Sequence, residues 1–256
     1  MPDGSYREDP LTPEEREAFE ADLIAFCDRE LDELGDITGQ HVLYAGGAAL
    51  LWLEGLGERI GPEGSLTALD ADPQRIQEAR VMIDDADISA PVSLVTGNVF
   101  EPPLGGRSFD LVYSAGLLHE LDVRERPIEA ALAALDSALK PGGRLATSDF
   151  VDAVDAVQLE DEALDRELVR ARTGAELYGI HALERLVGAH EALLSEVRWR
   201  VSPPFRIRHL DKVALAEEPP VVGHELRARR EALLERVRRE GYTRPATVYV
   251  EGRVSR

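Results

Sequence analysis

Apolar residues change their spacing along this chain, and the changes mark out its elements. Thr12-Pro13-Glu14-Glu15 opens a helix with a capping box and a proline in the first turn. Phe19, Leu23, Ile24, Phe26, Cys27 and Leu31 keep helical spacing behind it, and Gly35 stops it. From about residue 40 to 150 short apolar runs alternate with helical patterns. The runs predict strands at 41–45, 66–70, 92–96, 110–114 and 143–149, with helices at 48–58, 73–84 and 127–139 between them. Further on, helices are expected at 155–172 and 177–189, strands at 194–201 and 206–216, a charged helix at 223–240 and a strand at 246–251. Strand–helix alternation implies a parallel sheet with right-handed crossovers. The fold class is therefore α/β: a doubly wound, mostly parallel sheet with an N-terminal helix and helical insertions after the fifth strand.

Composition narrows the setting. The chain has 256 residues, of which 44% are hydrophobic and 30% charged, as in a globular protein. No apolar run approaches a membrane span, residues 1–10 read as a disordered tail, and the single cysteine, Cys27, suits a reducing compartment. The expected location is the cytoplasm. A formal charge of -20 argues against general nucleic-acid binding. Arg227, Arg229, Arg230, Arg236, Arg238 and Arg239 form a basic spot, but Glu225, Glu231, Glu235 and Glu240 interleave with them. Glu225–Arg229 and Glu235–Arg239 have the favourable i,i+4 order, so a solvated, self-paired helix is expected.

Candidate chemistry gathers where the strands end. His41 to Ala45 runs into Gly46-Gly47-Ala48-Ala49-Leu50, a strand, a glycine turn and a helix start. About twenty residues later Leu66-Thr67-Ala68-Leu69-Asp70 ends a second strand in a carboxylate. That combination holds a nucleoside in doubly wound sheets, with backbone at the turn and the carboxylate on the ribose hydroxyls. His119 and Glu120 follow the fourth strand, at the sheet edge where ligands lie. His41, His190, His209 and His224 are scattered without metal-ligand spacing, so no metal site is expected. Arg198-Trp199-Arg200-Val201 alternates as a strand, with core packing the default for its tryptophan.

Three further segments carry a family resemblance: Thr96-Gly97-Asn98-Val99; Ser108-Phe109-Asp110-Leu111-Val112-Tyr113-Ser114 with Leu117-Leu118-His119-Glu120-Leu121; and Leu139-Lys140-Pro141-Gly142-Gly143. With the first turn and Asp70, residues 38–150 resemble the class I S-adenosylmethionine-dependent methyltransferases, nearest their small-molecule, quinone-methyltransferase-like group. The resemblance implies that the sheet is seven-stranded, with a cofactor half at 38–150 and a variable substrate side at 151–245, within one methyltransferase-like domain at 38–256. Residues 1–37 would form a tail and a helix that packs on the sheet or covers the site.

By position, the resemblance implies S-adenosylmethionine binding by Tyr44, Gly46, Gly47, Asp70, Ala71, Asn98, Val99 and Ser114. Asp70 would accept from both ribose hydroxyls, Asn98 from the adenine amine, and the Val99 N–H would reach a ring nitrogen. His119, Tyr178 and His181 are the catalytic candidates, the last two at the start of a helix that covers the active site in relatives. The plainer reading of Tyr178 and His181 is a helix surface.

The first turn departs from the family pattern. Tyr44 stands for an acidic residue, Ala48 for the second glycine and Leu50 for the third. The expected activity is methyl transfer to a small molecule, the other partner at most a second copy of the chain, with neither nucleic acid nor membrane involved. The altered turn keeps two alternatives open: a catalytically silent scaffold or ligand-binding protein, and an enzyme using a modified nucleoside donor.

Overall fold

A computed structural model describes residues 10–106, 108–152, 155–216 and 223–253. The expected disordered tail lies almost wholly outside them. α1 (Pro13–Asp32) forms as read: Thr12 accepts from the Glu15 N–H while Glu15 returns to the Thr12 N–H, closing the capping box. Then come β1 (His41–Ala45), α2 (Leu50–Ile60), β2 (Ser65–Asp70), α3 (Pro73–Asp85), β3 (Val92–Thr96), β4 (Phe109–Ala115), α4 (Ile128–Ser137) and β5 (Leu139–Val151). α3 starts where Asp72 accepts from the Gln74 N–H and Pro73 supplies a preset φ.

The second half contains α5 (Ala156–Thr173), α6 (Leu183–Glu191), β6 (Ser195–Ser202), β7 (Phe205–Arg206), α7 (Leu210–Ala216), α8 (His224–Glu240), β8 (Thr243–Arg244) and β9 (Ala246–Arg253). Seven strands form one sheet in the order β3-β2-β1-β4-β5-β9-β6, and β7 pairs with β8 apart from it. β1 to β5 are parallel, while β9 runs antiparallel to both β5 and β6. The order turns around between β1 and β4, and the carboxyl ends of those strands open a crevice there. Both faces are covered. Leu43, Val112, Leu132 and Leu145 belong to one buried cluster, and Val42, Leu53, Leu111 and Ala146 to the other.

The most family-like motif acts at the opposite edge of the sheet. Lys140 Nζ lies 2.9 and 3.0 Å from the two carboxylate oxygens of Asp110, which also accepts from the His41 N–H at 2.8 Å. Burial works against the Asp110 charge, but Lys140 and the His41 N–H outweigh it and hold the carboxyl below its ordinary range. The Asp110–Lys140 pair thus pins the starts of β1, β4 and β5.

Several expectations need correction. Residues 206–216 are not a strand: only Phe205–Arg206 pairs, and Leu210–Ala216 is helical. Leu210, Val213 and Ala214 in fact carry a helical period. α6 begins at Leu183, so Tyr178 and His181 precede that helix rather than open it. Trp199 is 49% exposed, because β6 is an edge strand whose outer face is uncovered. α8 is not merely a solvated helix. Leu233 packs with Val157 and Leu164 of α5, and Arg229 pairs with Glu160 and Glu167 of α5.

Candidate active site

The glycine turn after β1 is fastened to the end of β2. The Gly46 and Gly47 N–H groups donate to the Leu69 carbonyl at 2.8 and 3.3 Å. Gly46 has φ +86°, and a Cβ there would stand 2.5 Å from the Leu117 side chain. A Cβ on Gly47 would meet the Tyr44 hydroxyl at 2.9 Å. Gly47 is therefore the partner of the bulky residue at 44. The Tyr44 ring lies 6.0 Å from each of Trp52 and Tyr113, which are 6.3 Å from one another, and burial pushes its hydroxyl pKa far up. A neutral aromatic stack occupies the place where the family pattern has an acid.

This turn lines a cavity of about 420 Å³ together with Ala48, Leu51 and Trp52. α1 contributes Leu23, Phe26, Cys27 and Glu30, and β5 contributes Ser148, Asp149 and Phe150. His119 and Arg244 complete its far side. Leu50 is not among the lining residues, so the third departure of the turn does not obstruct the cavity. Cys27 donates weakly to the Leu51 carbonyl, and burial pushes its thiol up to about 12. It is a packing residue, not a nucleophile.

Asp70 ends β2 beside the turn, and neither it nor Ala71, Asn98, Val99 or Ser114 is among the residues lining the cavity. One oxygen accepts from the Asp72 N–H at 2.8 Å, and the other is buried with no hydrogen-bond partner among the described residues. An acceptor left so inside a protein is costly unless a ligand donates to it. The Ser114 hydroxyl, at the end of β4, is likewise buried and unpartnered. Ala71 is exposed, and the Val99 side chain packs in the core. The Asn98 oxygen accepts from the Phe100 N–H at 2.9 Å, so any adenine amine would have to share it.

His119 sits in a short 3-10 turn, Leu118–Glu120, where the chain leaves β4. Its Nδ1 lies 2.7 Å from Asp149 Oδ1, while Asp149 Oδ2 accepts from the Leu118 N–H at 2.7 Å. Asp149 Oδ1 also faces the Phe150 N–H at 2.8 Å. A carboxylate surrounded by donors makes Nδ1 the protonated nitrogen of neutral His119 and leaves a lone pair on Nε2. Burial works against the imidazolium, yet Asp149, followed by Glu120 and Glu162, outweighs it and raises the His119 pKa.

His119 is thus the catalytic candidate that reaches the cavity. His181 and Tyr178 are not among its lining residues. His181 is buried with Nε2 3.2 Å from the Leu118 carbonyl, and burial lowers its pKa. Tyr178 packs on the core with its ring 5.4 Å from His181. The Gly179 N–H donates to the His119 carbonyl at 2.9 Å and the Tyr178 N–H to the Leu121 carbonyl at 3.0 Å. Residues 178–181 therefore clamp the turn that carries His119.

Three contributors were missed in the sequence. Asp149 is thirty residues from His119, and only the pairing of β4 with β5 unites them. Glu30, 2% exposed, accepts from the Ser148 hydroxyl, from the Thr247 hydroxyl at 2.9 Å and from Arg29 at 2.9 and 3.1 Å. This buried charge ties α1 across the ends of β5 and β9. Arg244 lies over the rings of Phe26 at 5.1 Å and Phe150 at 4.7 Å. A second cavity, about 510 Å³, shares His119, Phe150 and Arg244 with the first and extends along α5, α7 and α8.

Residues 42–143 match a family described as a methyltransferase domain. A demethylmenaquinone methyltransferase of Listeria welshimeri is 35% identical over 99 residues, covering 38% of this chain and 39% of the relative. A catechol O-methyltransferase of Mycobacterium tuberculosis is 31% identical over 132 residues, covering 48% of this chain and 59% of the relative. The chain therefore spans about two fifths to three fifths of the curated relatives it matches. A solved cyclopropane-fatty-acyl-phospholipid synthase-like protein of Lactobacillus casei shares the fold with a TM-score of 0.65 at 14% identity, over 94% of this chain and 93% of that one. Residues 42–143 thus match a methyltransferase domain, on a fold shared with solved methyltransferase-like structures.

Proposed function

We propose that the protein transfers a methyl group from S-adenosylmethionine to a hydroxyl-bearing small molecule, with His119 as general base. The observation that carries this reading is the His119–Asp149 pair in the same cavity as the Gly46 turn. The residues present suit the donor. Asp70 offers an unpartnered buried oxygen to ribose hydroxyls, and the side-chain-free Gly46 lets backbone approach the ligand. Tyr44, Gly47 and Ala48 would border its amino-acid portion, and Asn98 its base.

When bound, S-adenosylmethionine supplies an electrophilic sulfonium methyl that needs an aligned nucleophile and little else. Asp149 holds His119 in the Nδ1–H tautomer, so Nε2 can take the acceptor hydroxyl proton as oxygen becomes nucleophilic. Phe150, edge-on to His119 with centroids 5.1 Å apart, restricts the imidazole from the side. Leu23 and Phe26 of α1 form an apolar wall, and α1 acts as the cover that keeps water out. Among the described residues no helix is long and apolar enough to cross a membrane.

A hydroxylated aromatic ring is the acceptor class in keeping with this base and with relatives named for catechol and menaquinone precursors. Calorimetric titration with S-adenosylhomocysteine, followed by transfer of labelled methyl to a panel of phenols and catechols, tests the reading. Micromolar binding and His119-dependent labelling are expected. A folded protein that binds neither S-adenosylhomocysteine nor S-adenosylmethionine overturns it.

A further inference from the structure

Arg244 has no described role in the fold that uses its hydrogen-bonding edge. Its guanidinium lies between the Phe26 and Phe150 rings, half-buried at the junction of the two cavities. It makes no hydrogen bond or ion pair with any described residue, although it carries five N–H donors. Arg75, which also borders the cavity, is exposed on α3, where water serves it.

None of the carboxylates near Arg244 pairs with it among the described residues. Glu30 holds Ser148, Thr247 and Arg29. Asp161 accepts from the Tyr242 hydroxyl at 2.7 Å, and Glu162 from the Ile180 N–H at 2.9 Å. Glu120 lies 4.0 Å from His119. No described acceptor meets the Arg244 fork, which lines both cavities and is open to a ligand there.

We propose that Arg244 receives a carboxylate of the methyl acceptor, which makes the acceptor a flat, hydroxylated aromatic acid. Position separates this ligand from the donor. Arg244 precedes β9, four strands from Asp70 in the order β2-β1-β4-β5-β9, roughly 19 Å at about 4.8 Å per strand. A donor whose ribose met Asp70 would be held on the β2–β1 side of the sheet, away from Arg244. His119 and Arg244 both pack on Phe150, so a ring between them presents its hydroxyl to one and its carboxylate to the other. Asp161, Glu162 and Asp165 line the second cavity. They disfavour a dianion such as phosphate, whereas a planar monoanion matches the fork in charge and shape.

The proposal rests on the methyltransferase reading, and its test separates the two. 3,4-Dihydroxybenzoate and its uncharged analogue 3,4-dihydroxybenzamide are titrated into the full chain, with and without saturating S-adenosylhomocysteine. The benzoate is expected to bind at least about tenfold tighter than the amide. Arg244→Gln should abolish that preference and Arg244→Lys should keep part of it, with S-adenosylhomocysteine affinity within about twofold of wild type in both. Equal affinity for the two probes, or no binding of the benzoate, overturns the proposal. So does an Arg244→Gln variant that loosens only S-adenosylhomocysteine, which would assign the guanidinium to the donor carboxylate. If Arg244→Gln fails to fold by circular dichroism, wild type and Arg244→Lys still decide. Failure of wild type to bind S-adenosylhomocysteine overturns the donor reading alone, because the carboxylate preference is also read without it.

Discussion

The carboxylates at the two ends of the sheet's crevice are held in opposite ways. At the β2–β1 end, Asp70 keeps one buried oxygen unpartnered, and the aromatic stack of Tyr44, Trp52 and Tyr113 supplies no charge. At the β4–β5–β9 end, His119, Asp149 and Glu30 are tied into hydrogen bonds before any ligand enters. Unpartnered groups cost stability and are tolerated where a ligand completes them, whereas pre-tied groups hold a geometry fixed. On the proposed function, the Asp70 end binds the donor and the His119 end positions a base. Substitutions at the two ends should therefore separate affinity from rate.

The sharpest separation is expected at His119. Replacing it with asparagine removes the base and leaves the Gly46 turn and Asp70 untouched. kcat should fall by about 10²- to 10⁴-fold, while S-adenosylhomocysteine affinity in calorimetry stays near that of wild type. An equal loss in both measurements would place His119 on the donor and break the comparison.

Asp70→Ala should do the reverse. Two hydrogen bonds to a carboxylate, each contributing about 1.5–3 kcal/mol, predict a donor affinity about 100-fold weaker or more. kcat at saturating donor should change far less. Unchanged affinity would remove the ribose contact from Asp70.

Asp149→Asn should give a smaller loss, about tenfold in kcat/KM, and a diagnostic pH profile. His119 acts as a base only when neutral, so activity rises as pH climbs through its pKa. Asp149 raises that pKa, with Glu120 beside it and Glu162 on α5 adding to the effect and burial opposing it. Asp165 on α5 and His181 also couple electrostatically to His119. In wild type the acid limb of kcat/KM therefore lies above the ordinary histidine range. The asparagine variant loses the strongest stabiliser of the imidazolium while burial persists, so the limb should move to lower pH. An unmoved limb would mean that another group is the base.

What could be read from the sequence follows from how locally each feature is encoded. The glycine turn, Asp70 and His119 each sit at the end of a strand whose apolar run announces it. Asp149 also ends a strand, but its role depends on the neighbouring strand and not on its own segment. Arg244 and Glu30 come from chain regions more than two hundred residues apart, joined through Phe26. No periodicity encodes such a meeting. Leu210–Ala216 spans only seven residues, so its helical period is a weak signal beside the apolar run that suggests a strand. Residues 178–181 do their positioning work through backbone N–H and carbonyl groups, which residue identity hardly marks.

The smallest effect tests the first turn itself. Tyr44 is 2% exposed and its ring packs against both Trp52 and Tyr113, so Tyr44→Phe should keep the cluster. Only the hydroxyl changes, and a neutral hydrogen bond contributes about 1 kcal/mol, so donor affinity should fall by less than about fivefold. Tyr44→Glu would instead place a carboxylate among Trp52, Tyr113 and Gly47, with no described donor for it. Its cost should appear as a lower melting temperature rather than as tighter donor binding. The two variants together ask whether the tyrosine replaced the function of an acid or only its volume. If Tyr44→Phe matched Asp70→Ala in lost affinity, the hydroxyl would be a donor anchor. The binding end would then owe its grip to a neutral group, and its contrast with the pre-tied end would narrow to the single carboxylate at Asp70.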